Sequence, residues 1–83
     1  MNEKLGQLIV ARREELGLQQ QVLANKAGIT PGYLCDIEHG RRIPSDDVLG
    51  RLADGLWLTL PDGIYYAAGR LPPRQRNKVR RLR

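Results

Sequence analysis

The chain has 83 residues, a formal net charge of +5 and a single cysteine, Cys35. That length gives one domain burying roughly 60–65% of its unfolded surface; a disulfide framework is excluded, and no apolar run approaches the ~18 residues of a membrane span. With no Phe, and with Tyr33, Trp57, Tyr65 and Tyr66 as the only aromatics, the core must be mostly Leu, Ile, Val and Ala, which suits a compact helical bundle that dimerisation would reinforce.

In chain order, Asn2 is placed to cap a first helix, with Glu3 favourably set against its dipole. Leu5, Leu8, Ile9, Arg12 or Arg13, and Leu16 recur on one stripe at helical spacing, and Gly17 stops the helix. After the link Leu18-Gln19, a second helix runs from about Gln20 to Lys26. Gly28 then sits where the turn needs a residue tolerant of positive φ, and Ala24 is small where two helices must approach closely. Thr30 followed by Pro31 starts a third helix: a hydroxyl cap, then a residue whose missing N–H costs nothing in the first turn. That helix runs from about Pro31 to His39, and Gly40 closes it. Leu23, Ala27, Ile29, Leu34 and Ile37 supply the apolar positions that lock the pair. Two short helices crossing at a glycine turn make a helix-turn-helix, whose second helix usually enters the DNA major groove. Arg41-Arg42-Ile43 is a loop. Ser45 caps a fourth helix with Asp46 and Asp47 in its first turn, and Val48, Leu49, Leu52, Ala53 and Leu56 form its inner face. Thr59 is expected to cap a fifth helix reaching Ala68, with Gly69 as its stop, before Leu71-Pro72-Pro73 breaks the chain. The remainder reads as a tail or as a short helix starting at Pro73. There is no internal repeat and no strand-like alternation.

The charge divides at residue 70. Seven of the fourteen basic groups lie from Arg70 onward without an acid, leaving seven against all nine acids in residues 1–69, a net of −2. The expected organisation is a helix-turn-helix domain over 1–69 and a basic C-terminal tail over 70–83. Nucleic-acid binding by the folded part must then rest on local patches, Arg12-Arg13 and Arg41-Arg42. The tail either tracks a nucleic-acid backbone or minor groove, or binds any polyanion.

Gly17-Leu18-Gln19-Gln20, Leu23-Ala24, Ala27-Gly28-Ile29-Thr30, Tyr33-Leu34, Ile37-Glu38-His39-Gly40, Pro44-Ser45 and Leu52-Ala53 together resemble the Cro and phage-repressor (XRE-type) helix-turn-helix family over about residues 5–60. The resemblance implies an all-α, five-helix, lambda-repressor-like domain that binds near-palindromic double-stranded DNA as a homodimer and regulates transcription. By the same resemblance, Gln20 contacts a phosphate and braces the recognition helix, with Gln21 beside it. Arg13 and Glu38 match a buried ion pair joining the first helix to the end of the third; the alternative is a solvated Arg13. Arg41 and Arg42 match loop positions that contact the DNA backbone; the alternative is a solvated loop.

The face of the third helix opposite Leu34 and Ile37 holds Gly32, Asp36 and His39, with Tyr33 and Cys35 on its flanks and Thr30, Pro31 and Gly32 at its tip. In the family, positions matching Pro31, Gly32 and Asp36 often carry base-reading side chains; here the first two have no polar group. Thr30, Tyr33 and Asp36 are left as readers, Asp36 by accepting from a cytosine amine. Alternatively Tyr33 packs on the second helix and Asp36 is a solvated charge.

Trp57, Leu58, Leu60, Ile64, Tyr65 and Tyr66 form an apolar cluster after the fourth helix. Family domains often dimerise near this end, so Leu60, Ile64, Tyr65 and Tyr66 are expected at a two-fold interface; the alternative is that they complete the monomer core. Cys35 and His39 share a helical face, but no further Cys or His completes a zinc site, so no metal and no cofactor is expected. No base–nucleophile constellation supports an enzyme. The single thiol and the lack of a signal peptide point to the cytoplasm. The leading expectation is a sequence-specific homodimeric repressor. Its alternatives are a helix-turn-helix module that binds a protein partner, antitoxin- or antirepressor-like, and a nonspecific nucleic-acid binder driven by the tail.

Overall fold

The computed structural model describes residues 3–73. Five helices follow one another: α1 (Glu3–Glu15), α2 (Gln20–Ala27), α3 (Pro31–Glu38), α4 (Asp46–Gly55) and α5 (Asp62–Ala67). There is no strand among the described residues, so the architecture is all-α. No helix of the described residues is long and apolar enough to cross a membrane. The cap expected at Asn2 and the tail beyond Pro73 lie outside the described residues.

Local signals set most boundaries. The Thr30 hydroxyl accepts from the Tyr33 amide at 3.1 Å with Pro31 in the first turn, and the Ser45 hydroxyl accepts from the Val48 amide at 3.3 Å. Gly28 adopts φ +69°, and the amides of Gly28 and Ile29 return to the carbonyls of Asn25 and Ala24. That closes α2 as a Schellman turn and sends the chain straight into α3. Gly40 does the same for α3, with Arg41 N–H donating to Asp36 O at 2.8 Å.

The core is aliphatic. Leu5, Ile9, Leu23, Leu34, Ile37, Leu49, Leu52, Leu56 and Ile64 are fully buried. α2 and α3 pack on each other, α1 lies against α3, and α4 supports α2. Gly6 is the tightest point: a Cβ there would lie 2.1 Å from the Glu38 carbonyl oxygen, so α1 crosses α3 on bare backbone.

Three sequence expectations are corrected. Thr59 does not cap the fifth helix; α5 begins at Asp62, with Pro61 at its N-cap position and no side-chain cap bond. The proline explains this, because a residue before proline is driven out of helical geometry, so Leu60 cannot open a helix. Ile64 and Tyr65 are not available to an interface: Ile64 is fully buried and Tyr65 is 7% exposed. α5 turns them inward against α1 and α4, and the Tyr65 hydroxyl donates to the Asp46 carbonyl at 3.3 Å. Leu60 and Tyr66 remain exposed. Finally, the fold does not stop at Gly69. Arg70 Nη1 donates to the carbonyl of Pro44 and to Asp46 Oδ1, and Pro72 is fully buried.

α4 ends on a tryptophan where a glycine is the usual residue. Trp57 takes φ +54° and is 71% exposed. Gly55, two residues earlier, lies inside the helix, where a Cβ would press on Leu23 Cδ1 at 3.0 Å and Lys26 Cβ at 3.3 Å. Arg12 covers this helix end, donating from Nε to the Leu56 carbonyl at 2.9 Å and from Nη2 to the Trp57 carbonyl at 3.2 Å. An arginine on the last carbonyls also complements the helix dipole.

Candidate nucleic-acid interface

One buried polar network sets the orientation of α3. Glu38, its last residue, turns its carboxylate inward; the side chain is 4% exposed, and what exposure the residue has lies in its main chain. Arg13 of α1 grips the carboxylate with Nε at 2.9 Å from Oε2 and Nη2 at 3.3 Å from Oε1. The same guanidinium donates from Nη1 to the Leu18 carbonyl in the α1–α2 link. Gln20, the first residue of α2, donates from Nε2 to Glu38 Oε1 at 2.8 Å. Three chain segments therefore meet on one carboxylate. A two-pronged arginine–carboxylate contact fixes direction as well as distance, so the tilt of α3 against α1 and α2 is determined. Of the two readings of Arg13, the ion pair is the one present.

The opposite side of α3 is open. Thr30, Pro31 and Gly32 are exposed at its leading end, and Gln21 is exposed at the start of α2. A Cβ on Gly32 would meet nothing within 4 Å, so no internal contact requires glycine there. Tyr33 is half-buried: part of the ring packs on the core, and the rest lies under the Arg42 guanidinium, 5.1 Å from its centroid. Asp36 is neither free nor buried; Arg41 pairs with it at 3.0 Å. Arg41 and Arg42 are both exposed in the loop that follows, and the left-handed turn at Gly40 folds them back over their own helix. The result is a helix face rimmed by two cations held in place through an ion pair and a cation–π contact.

Sequence reasoning did not anticipate these two contacts. The signal was present: with glycine at the C′ position, the residue after it returns beside the residue five earlier, so Asp36 and Arg41 become neighbours. Cys35 and His39 do share a face, with Sγ 3.5 Å from Nδ1, and His39 Nδ1 also lies 2.8 Å from the Cys35 carbonyl oxygen. No group of three or more His, Cys, Asp or Glu among the described residues is arranged to hold a metal ion. Of the expected interface residues, Leu60 lies just before α5 and Tyr66 within it, and both are exposed.

The helix-turn-helix family model HTH_3 matches residues 9–61, which includes the whole of α2 to α4. The chain is 35% identical over 75 residues to the HTH-type transcriptional regulator Rv0474 of Mycobacterium tuberculosis, covering 90% of this chain and 53% of that protein. It is 45% identical over 51 residues to the ImmF control region 10 kDa protein of Bacillus phage phi105, covering 61% of this chain and 57% of that one. The chain thus spans about half the length of the curated relatives it matches. Among solved structures, the clp gene regulator ClgR of C. glutamicum superposes with a TM-score of 0.69 at 31% identity, covering 82% of this chain and 88% of that chain.

Proposed function

The chain belongs to the helix-turn-helix family of the Cro and phage-repressor (XRE) type, and we propose on that premise that it is a sequence-specific DNA-binding regulator of transcription that acts as a homodimeric repressor on a near-palindromic operator. The observation that carries this reading is the outer face of α3. It is exposed from Thr30 to Gly32, fixed in direction by the Arg13–Glu38–Gln20 network, and rimmed by Arg41 and Arg42. Phosphate contacts fix the register of a protein on a duplex, and groove contacts read sequence. The loop arginines and Gln21 take the first role, and the family resemblance gives Gln20 the same role beside its bond to Glu38. Thr30, Tyr33 and Asp36 take the second, and Gly32 lets the backbone approach the bases.

Dimerisation is assigned to the exposed apolar side chains Leu60 and Tyr66. Two copies would set two α3 helices about one DNA turn, roughly 34 Å, apart. A second reading, capture of a protein partner by the same face, is favoured by the lack of side-chain donors at Pro31 and Gly32.

Fluorescence anisotropy at about 0.15 M salt separates the readings. The probes are the duplex upstream of the chain's own gene, duplexes enriched from a random pool, and a scrambled control. A hundredfold preference for an upstream or enriched duplex supports the regulator. Equal binding to all duplexes favours a nonspecific binder, and no binding favours the protein partner.

A further inference from the structure

We propose that Arg41, held by Asp36, reads a guanine in the major groove, so that this pair determines part of the sequence the α3 face selects. The inference rests on the reading of α3 as the DNA-contacting helix and deepens it. Asp36 stands on the side of α3 opposite the buried Leu34 and Ile37. The left-handed Gly40, at φ +76°, turns the chain back so that the Arg41 amide donates to the Asp36 carbonyl at 2.8 Å. The side chain follows, with Nε and Nη2 each 3.0 Å from Asp36 Oδ1. Arg41 is thus tied to Asp36 by main chain and side chain, and both side chains remain open to solvent.

This arrangement uses one edge of the guanidinium and spares the other. The Nε–Nη2 edge faces the carboxylate. Among the described residues, the only other contact of the guanidinium is from Nη2 to the Cys35 sulfur, a weak acceptor 3.9 Å away. The Nη1–Nη2 edge therefore still offers two parallel N–H groups, the fork that matches guanine O6 and N7.

The same fork also fits a phosphate, and charge decides between the two. Asp36 already matches the positive charge of Arg41, and a phosphate brought to Nη1 and Nη2 would be repelled by the carboxylate beside it. Guanine O6 and N7 are neutral acceptors and use the donors without that cost. Arg42 differs: its partner is the Tyr33 ring, which leaves its charge unmatched. This sharpens the phosphate role given to the loop arginines, since Arg42 keeps it and Arg41 turns to a base. Asp36 then acts on sequence through Arg41, as a positioning residue. A bare carboxylate on this face would repel the duplex, whereas the paired one aims a donor fork at it.

The test uses the full chain and duplexes it enriches from a random pool. Anisotropy at about 0.15 M salt gives the affinity for the enriched duplex, for each single base-pair replacement in it, and for a scrambled control. Arg41→Met should erase a preference for guanine at one position per bound copy, worth roughly 5–150-fold, and leave the preferences elsewhere intact. A deazaguanine lacking the N7 acceptor at that position should weaken binding by the unaltered chain and leave Arg41→Met unaffected. Arg42→Met should instead weaken all duplexes by a common factor, as loss of a phosphate contact does. Asp36→Asn should relax the preference at the same guanine yet bind the scrambled duplex more tightly. Its plot of log affinity against log salt should steepen by up to ~0.9, because Arg41 regains an unmatched charge. An Asp36 that merely supports the fold would give no such gain. The proposal is overturned if Arg41→Met weakens every duplex equally, which would make Arg41 a phosphate contact, or if it changes nothing. If the unaltered chain enriches no sequence, the reading of α3 falls and this proposal falls with it. A chain that enriches a sequence containing no guanine dependent on Arg41 sinks this proposal alone.

Discussion

Replacing Arg13 with Met should show how much of the fold depends on the Glu38 carboxylate. The substitution keeps the aliphatic volume of the arginine stem and removes both of its bonds to Glu38, at 2.9 and 3.3 Å, together with the donor to the Leu18 carbonyl. Glu38, with its side chain 4% exposed, would keep only the Gln20 amide. Stranding one member of a buried pair typically costs about 3–5 kcal/mol. A domain of this length has roughly 4–12 kcal/mol of stability in total, so the variant loses a quarter or more of it. At about 4–8 °C per kcal/mol, Tm should fall by at least ~12 °C. The pair Arg13→Met and Glu38→Leu should recover to near the original stability, because a buried ion pair and a well-packed apolar replacement are nearly equivalent. Urea denaturation of the original, both singles and the double gives the coupling energy directly. The reasoning is refuted if Arg13→Met costs less than about 1 kcal/mol, or if the two substitutions are additive.

Other consequences are as specific. Gly6→Ala forces α1 away from the Glu38 carbonyl, and thermal unfolding should register a loss of about 3 kcal/mol; a Tm within two degrees of the original would show that α1 shifts freely. Trp57→Gly relieves a left-handed backbone under a side chain that is 71% exposed, so stability should rise by about 0.5–1 kcal/mol, whereas a clear fall would reveal packing by the indole. Leu60→Asp combined with Tyr66→Asp changes two exposed side chains. It should leave helicity intact and yield a monomer in sedimentation velocity; a dimer that survives it would move the two-fold interface elsewhere.

The sequence made the helices of the central motif legible because their signals are local. Thr30-Pro31, Ser45 with its two acids, and the glycines at 28 and 40 act within one turn of themselves, and the structure places helix ends there. The fifth helix was misplaced because two local rules conflict: a hydroxyl at Thr59 favours a start, and Pro61 forbids one at Leu60. The inward turn of Ile64 and Tyr65 was illegible for a different reason. A six-residue helix is too short for its apolar stripe to define a face, and only packing against α1 and α4 decides which side is buried. Gly6 shows the same limit, since the need for a missing Cβ arises from a carbonyl 32 positions away in sequence, at Glu38. At the candidate interface, the Arg13–Glu38 pair followed from family resemblance, not from spacing. Asp36–Arg41 and Tyr33–Arg42 depend on the left-handed turn at Gly40 and went unforeseen.

The most direct test of the central claim is the DNA affinity of Gly32→Glu measured beside its thermal stability. A side chain at this position meets nothing within 4 Å, and exchanging glycine for glutamate inside a helix favours the fold by roughly 0.5–1 kcal/mol. The account predicts a Tm equal to or above the original, together with at least a hundredfold loss of affinity for the enriched duplex, because the new carboxylate would face bases and phosphates at the tip of α3. Undiminished affinity in a stably folded variant would contradict it, and would mean that the exposed face of α3 does not meet DNA.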